Sequence, residues 1–472
     1  MGAIPIPDSR PGSAPDDLEE LSGPPSASLP DELRSLGSPA RPSPQEKIAG
    51  PSVNWLFVDL NSYFASVEQQ VRPELRGRPV GVVPAMVDTT CCIAASYEAK
   101  AFGVRTGTIV ADAKRICPEI VLVEGRHDLY TEFHHKVVEV VESCVPVTAV
   151  CSIDEMACRL MGRERALRAA LDLGIQVKKK IREQVGECLR SSVGLATSRY
   201  LAKVASDMEK PDGLVALPLD ILPEALRTLT LRDLPGVGAK TEKRLNEKGI
   251  RTMEDLMALD CTQAGELWGS VWGERLWHWL RGEDFEMAEQ EELKSLSHQH
   301  VLAPEMRNAE KAYAVAHKLL HKAAMRLRSH KLWAGQIGLA IGFAAPRGQK
   351  TPVSTYGVPT NGWHAELRLS ECQDNTTLIA GLQKLWESRP SGQEYNQPYF
   401  IGVHLNNLVP DRLHSLNLFD ALDGEQRRTR LLAAMDELNN KYGMSTLAPA
   451  TMLAAYKAAP TRIAFHSIPE LF

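Results

Sequence analysis

No stretch of eighteen consecutive apolar residues occurs in this chain of 472 residues, so no membrane-spanning helix is expected. The start lacks a basic segment followed by an apolar one, which argues against a secretory leader. Ile6 stands where an N-myristoylation signal needs Ser or Thr. Cysteine is sparse and odd in number, nine, without a Cys-x-x-Cys spacing. That pattern excludes a disulfide framework and a zinc ribbon, and points to reduced thiols in the cytoplasm. A basic excess is missing too: 54 Lys and Arg against 59 Asp and Glu leave a net charge of −5, by itself no sign of a nucleic-acid partner. No internal repeat is found, which excludes a solenoid.

What is present reads as a soluble globular protein, 44% hydrophobic and 24% charged. The length exceeds what one core accommodates, so two to four domains are expected. Charge and proline are unevenly spread. Residues 1–50 hold ten of the thirty prolines, and eight acids against four bases, a net of −4. Such a segment cannot bury enough apolar surface to offset its ordering entropy, and a disordered tail is expected there. The remaining chain is therefore close to neutral.

Folded structure is expected from about Val53. Trp55 to Val58 reads as a buried strand, followed by a helix with Ser62 as N-cap and Phe64, Val67 and Val71 on one face. Val80–Val83 and Ile93–Tyr97 read as strands, Tyr130–Val141 and Ala166–Cys188 as helices, Ser192–Leu195 as a strand and Arg199–Met208 as a helix. This mixture lacks strict β-α-β alternation, which favours an α+β fold over a doubly wound sheet. Residues 218–285 read as helical around Leu234-Pro235-Gly236-Val237-Gly238-Ala239-Lys240. Two glycines let a loop backbone approach a phosphate, and the next helix offers free N–H groups; a purely structural tight turn is the alternative. Residues 294–408 form a second α+β unit with alternating strands at Gln336–Phe343, Trp363–Leu369 and Phe400–Asn407. The helix from Glu310 to Ser329 between them carries Lys311, Lys318, Lys322 and Arg326 near one stripe, in a region (291–410) with thirteen bases against nine acids. That stripe reads as a phosphate-binding surface or as an ordinary solvated helix face.

Two apolar runs close on acids. Leu56-Phe57-Val58 ends in Asp59, and the run from Val145 to Val150 is followed by Asp154-Glu155. Like charges brought together raise each other's pKa, and a divalent cation removes that conflict. Three carboxylates at two strand ends are what a two-metal phosphoryl-transfer site requires; taken singly, each acid also suits a strand-end turn.

The stretches Phe57-Val58-Asp59-Leu60-Asn61-Ser62-Tyr63-Phe64-Ala65-Ser66-Val67-Glu68, Ser96-Tyr97-Glu98-Ala99-Lys100-Ala101-Phe102-Gly103-Val104, Ser152-Ile153-Asp154-Glu155, Val193-Gly194-Leu195 with Leu201–Gly213, and Pro235-Gly236-Val237-Gly238 occur in one order. Through them the chain resembles the Y-family translesion DNA polymerases of DinB/UmuC type over about residues 53–285. The resemblance implies a right-hand α+β polymerase: palm and fingers over 53–217 (fingers about 61–126), a helical thumb with helix-hairpin-helix over 218–285, a little-finger DNA-binding domain over 294–408, and a C-terminal tail over 409–472. It implies a low-fidelity, template-directed DNA polymerase, a nucleotidyltransferase, with two Mg²⁺ ions held by Asp59, Asp154, Glu155 and the Leu60 carbonyl. Phe64 falls at the steric gate against ribonucleotides, where a core aromatic is the alternative. Tyr97, Lys100 and Lys210 fall where the triphosphate is held. Lys100 departs from a more common Arg and loses its bidentate fork. Asn61 departs from a frequent Asp at a position expected to contribute mainly backbone.

DNA contacts are expected from Gly236, Gly238 and Lys240 in the thumb and from Lys318 and Lys322. Ser415-Leu416-Asn417-Leu418-Phe419 resembles a sliding-clamp motif with Ser415 in place of Gln, anchored by Leu416, Leu418 and Phe419; a hydrophobic patch is the alternative. The expected partners are primer-template DNA, deoxynucleoside triphosphates and the clamp, with no membrane, for a cytoplasmic, nucleoid-associated monomer. A catalytically dead scaffold should have lost one of the three acids, and all are present. A simple helix-hairpin-helix DNA-binding protein leaves them unexplained.

Overall fold

The structure is a computed structural model. It describes residues 53–88, 90–284, 293–343, 362–392, 397–414, 422–443, 446–456 and 458–459, without side chains for 422–426. They belong to one compact unit, Ala49–Phe472. The expected disordered tail and the Ser415–Phe419 motif, with Leu416, Leu418 and Phe419, lie outside the described residues.

β1 (Trp55–Leu60) is buried along its whole length. Its side chains alternate: Leu56, Val58 and Leu60 enter one core, while Trp55 and Phe57 enter another on the opposite face. Asp59 therefore shares the face of Trp55 and Phe57. Ser62 precedes α1 (Tyr63–Val71) as expected, but its backbone is left-handed (φ 50°) and its hydroxyl caps nothing; a capping side chain needs an extended backbone. β2 (Val80–Val83) and β3 (Ala94–Ala95) follow. The expected strand over 93–97 shortens because Ser96 caps α2 (Tyr97–Ala101), its Oγ accepting from the Ala99 N–H. After α3 (Val110–Ile116), β4 (Val121–Glu124) completes a three-stranded sheet, β3-β2-β4.

α4 (His127–Glu142) leads to β5 (Ala149–Val150) and β6 (Glu155–Arg159), which form a hairpin. Glu155 thus opens β6, with Asp154 in the turn before it, instead of the pair closing the preceding run. α5 (Leu167–Lys180), β7 (Ser191–Ala196), α6 (Arg199–Met208) and β8 (Leu214–Leu217) finish a five-stranded sheet, β5-β6-β1-β7-β8. α1, α4 and α5 cover the Leu56 face, and α6 covers the other. Below α6 pack α7 (Ala239–Glu247), α8 (Met253–Met257), α9 (Cys261–Trp268) and α10 (Val271–Leu280). Gly236 turns at φ +89° before α7, and Gly238 is its N-cap.

The C-terminal part begins with β9 (Ser295–Val301) and α11 (Ala309–Ser329), then β10 (Leu332–Phe343), β11 (Gly362–Cys372), α12 (Asn375–Glu387) and β12 (Pro398–Pro410). The strands form an antiparallel sheet, β11-β10-β12-β9, with α11 and α12 on one face. On the opposite face the register aligns Arg368, Gln336, Asn406 and Ser295 in one row, and Glu366, Gly338, His404 and Ser297 in the next. α13 (Leu422–Tyr442) and a 3₁₀ turn (Ala450–Ala455) return the chain to α11. Arg328 on α11 makes a bidentate pair with Asp436 on α13, at 2.6 and 2.8 Å.

This return corrects the expectation for Lys318 and Lys322. Both are buried. The Lys318 ammonium donates to the carbonyls of Tyr456 and Ala458, each at 2.7 Å, and Lys322 donates to the Ala459 carbonyl at 2.6 Å. The stripe that looked like a DNA contact is the seat of the chain's own C-terminal segment. Its Ala312, Val315, Leu319 and Ala323 neighbours are core residues.

Gly194 on β7 lets α6 lie directly on the sheet: a Cβ there would stand 1.9 Å from the Ala202 carbonyl oxygen and 2.5 Å from the Ser206 nitrogen. Gly194→Ala is therefore expected to destabilise the fold by roughly 3 kcal/mol, since neither backbone can yield; a denaturant midpoint unchanged from the parent chain contradicts this contact. Replacing Lys318 and Lys322 together by Met is expected to open residues 446–459 to limited proteolysis while leaving the salt dependence of DNA binding unchanged. A salt slope reduced by about two would return these lysines to phosphate contact.

Candidate active site

Asp59 near the end of β1 is the register partner of Glu155 at the start of β6. Directly opposed residues share a face, so both carboxylates point toward α6. Asp154 precedes Glu155 in the turn, and its carbonyl accepts from the Leu60 N–H at 2.9 Å. The three acids expected from sequence are thus brought together where the end of β1 meets the start of β6. The Ser152 hydroxyl donates to Asp154 Oδ1 at 2.6 Å. Burial raises the Asp154 pKa above its ordinary value, and the Asp59 charge adds to that rise; burial also raises Glu155, against the pull of Lys203.

Lys203 is a central residue that the sequence reading left aside. From α6 its ammonium reaches Asp59 Oδ2 at 2.5 Å, Glu155 Oε1 at 2.9 Å and Asp207 Oδ2 at 3.1 Å. Burial alone would lower its pKa, but the Asp59, Glu155 and Asp207 carboxylates outweigh that and hold it above the ordinary lysine value. Lys210 joins the cluster at 2.8 Å from Asp59 Oδ2 and 2.8 Å from Asp207 Oδ1. A helical spacing of four, Lys203 to Asp207, is the sequence signal that could have found it.

Lys210 also links the acids to the nucleotide-contact candidates. Its charge, with burial the larger cause, lowers the Lys100 pKa, and it works against the burial-driven rise at Tyr97. Tyr97, Lys100 and Lys210 therefore feel one another and Asp59. The Lys100 ammonium lies 4.4 Å from the centre of the Tyr97 ring. The loop carrying Lys210 is anchored by Asn61, whose amide donates to Ser192 Oγ at 3.1 Å and whose Oδ1 accepts from the Asp212 N–H at 2.7 Å. An aspartate could not donate to Ser192, so Asn61 contributes its side chain as well as its backbone.

Phe64 is half-buried and stacks on Tyr130, with ring centroids 4.4 Å apart and planes at 16°. Tyr130 is fixed in turn. Its hydroxyl donates to Glu68 Oε1 at 2.8 Å, and Arg126 grips the fully buried Glu68 carboxylate at 3.0 and 2.6 Å. Neither Tyr130 nor Arg126 stood out in the sequence, because their partners lie on α1, about sixty residues earlier.

The donors around Asp59 fit a hard divalent cation. They are carboxylate oxygens only, and an ammonium already occupies the position between two of them. Counted as fully ionised, Asp59, Asp154, Glu155 and Asp207 make four negative charges against two positive on Lys203 and Lys210, a formal remainder of −2. Among the described residues no three acids, histidines or cysteines close a cage on an ion by themselves; the ammonium holds Asp59 and Glu155 instead.

Comparisons with known proteins define the class. Residues 58–207 match the impB/mucB/samB family, 232–284 the thumb domain described for DNA polymerase-iota, and 293–418 the impB/mucB/samB C-terminal domain. The DNA polymerase IV of Moorella thermoacetica is 32% identical over 396 residues, 82% of this chain and 93% of that protein. That of Pelotomaculum thermopropionicum is 30% identical over 407 residues, 84% and 95%. A Y-family DNA polymerase chimera shares the fold with a TM-score of 0.61 at 22% identity, covering 76% of this chain and 99% of that one. The chain belongs to the Y-family of DNA polymerases. Within it, the chain is of DinB type: an α+β polymerase and a DNA-directed DNA polymerase. Y-family polymerases use divalent metal ions. Among the described residues no helix is long and apolar enough to cross a membrane.

Proposed function

We propose that this chain extends a primer 3′ end across damaged template positions, with Asp59, Asp154, Glu155 and the Leu60 carbonyl holding two Mg²⁺ ions. The observation that carries this reading is the direct opposition of Asp59 and Glu155, beside Asp154, in a cluster where acids outnumber lysines. Ions held there would lower the pKa of the primer hydroxyl and neutralise charge on the triphosphate. The chain's own residues do the rest. Lys210, Lys100 and Tyr97 hold the triphosphate from one side, with Lys100 as a point charge. Phe64, braced on Tyr130, fills the space a ribose 2′-hydroxyl would need. The Gly236–Gly238 turn and Lys240 bind DNA backbone without reading sequence.

With Lys318 and Lys322 turned inward, we assign duplex contact in the second α+β unit to the helix-free face of its sheet. Gln336, Arg368, His404 and Asn406 supply polar groups there. The assembly acts as a monomer on primer-template DNA in the cytoplasm, at the nucleoid. The Ser415–Phe419 motif, through Leu416, Leu418 and Phe419, provides contact with a sliding clamp.

Primer extension on undamaged and lesion-bearing templates, with and without Mg²⁺, tests the reading as a whole. Asp154→Asn is expected to lower extension about a thousandfold or more with DNA affinity nearly unchanged; extension at the parent rate removes Asp154 from the chemistry. Phe64→Ala is expected to admit ribonucleotides and to change deoxynucleotide use much less. Unaltered discrimination would make Phe64 a packing residue only.

A further inference from the structure

We propose that Lys203 is a resident counter-cation of the active site, holding Asp59 and Glu155 until a divalent ion displaces its ammonium onto Asp207. The inference rests on the assignment of Asp59, Asp154 and Glu155 as metal ligands made above.

Three observations carry it. First, the Lys203 ammonium stands between Asp59 and Glu155, at 2.5 and 2.9 Å. An ion bound by both acids needs the space that this ammonium fills. Second, Lys203 has somewhere else to go. Asp207 lies one helical turn along α6, both its oxygens are 3.1 Å from the ammonium, and its side chain is about one-third exposed (32%). A four-carbon stem with a rotatable head can leave Asp59 and Glu155 while keeping Asp207. Third, the other ammonium does not duplicate this role. Lys210 touches Asp59 and Asp207, and it faces Tyr97 and Lys100 rather than Glu155.

The physical need is plain. Two like charges held a few ångströms apart in a partly buried site repel far more strongly than they do in water. Asp59 and Glu155 are opposed across adjacent strands, with Asp154 next in the chain. Without an internal cation the free enzyme would have to protonate an acid or splay the β1–β6 edge. Lys203 keeps that edge paired and ready. The consequence is that metal affinity in the free enzyme is a competition between a divalent ion and a tethered ammonium, with Asp207 setting how easily the ammonium yields.

The test uses the full chain without DNA or nucleotide and Mn²⁺ as probe, its free concentration read by electron paramagnetic resonance. Lys203→Met is expected to tighten Mn²⁺ binding about tenfold and to enlarge the rise in melting temperature that Mn²⁺ produces. Asp207→Asn, which removes the alternative seat, is expected to weaken binding about threefold in the parent chain and to have no effect in the Lys203→Met background. Simple long-range electrostatics would leave the Asp207 effect the same in both backgrounds, and that result overturns the proposal, as does unchanged or weaker Mn²⁺ binding by Lys203→Met. Should Lys203→Met lose its fold without divalent ions, recovery of the parent melting transition on adding Mn²⁺ supports displacement, and failure to recover it contradicts it. Asp154→Asn is expected to weaken Mn²⁺ binding in every background. Binding indifferent to Asp154→Asn contradicts the ligand assignment itself, and this inference with it, whereas an Asp154-dependent site that ignores Lys203 contradicts the inference alone.

Discussion

Everything at the active edge depends on neutralising carboxylates that the sheet forces together. Antiparallel pairing of β1 with β6 makes Asp59 and Glu155 neighbours whatever their charge. The compensation comes from α6, and α6 can deliver it only because it lies on β7 with nothing between them. Gly194 makes that approach possible, and the apolar stripe of Leu201, Ala202, Val204 and Ala205 holds it. Burial strengthens the attraction between ammonium and carboxylate and equally raises the cost of leaving either unpaired. Sheet register, helix packing and charge balance are therefore one constraint.

A second constraint acts on the nucleotide side. Glu68 is a carboxylate with no exposure to water, held by Arg126 and Tyr130. This anchor joins α1 to α4 and sets the ring on which Phe64 stacks. Asn61 does the corresponding work for the loop bearing Lys210. Both ties cross between segments distant in the chain, so the site is made rigid by tertiary contacts rather than by any single element.

Legibility in the sequence followed the range of the interactions. Apolar runs ending in acids, the hairpin glycines and the helix over 199–208 were readable because each is written within a few adjacent residues. Register was not: Glu155 begins β6 and Asp154 sits in the turn before it, instead of the pair ending β5, since β5 keeps only Ala149 and Val150. Lys203 resembled any lysine on an amphipathic helix until the fold placed it over Asp59. Lys318 and Lys322 show the converse error. Their spacing marked a helix stripe correctly, but whether a stripe faces solvent, DNA or the chain itself depends on residues more than 130 positions away. That C-terminal segment lies beyond residue 418, where the match to the family's C-terminal domain stops.

The central claim is that Asp59 and Glu155, beside Asp154, share a cation position that Lys203 now fills. Anomalous diffraction from crystals of the chain with primer-template DNA, Mn²⁺ and a non-reacting nucleotide tests it most directly. The account predicts Mn²⁺ held among Asp59, Asp154 and Glu155, one ion touching both Asp59 and Glu155, with the Lys203 ammonium withdrawn to Asp207. Mn²⁺ density elsewhere, with Lys203 still between Asp59 and Glu155 in the loaded complex, would contradict it.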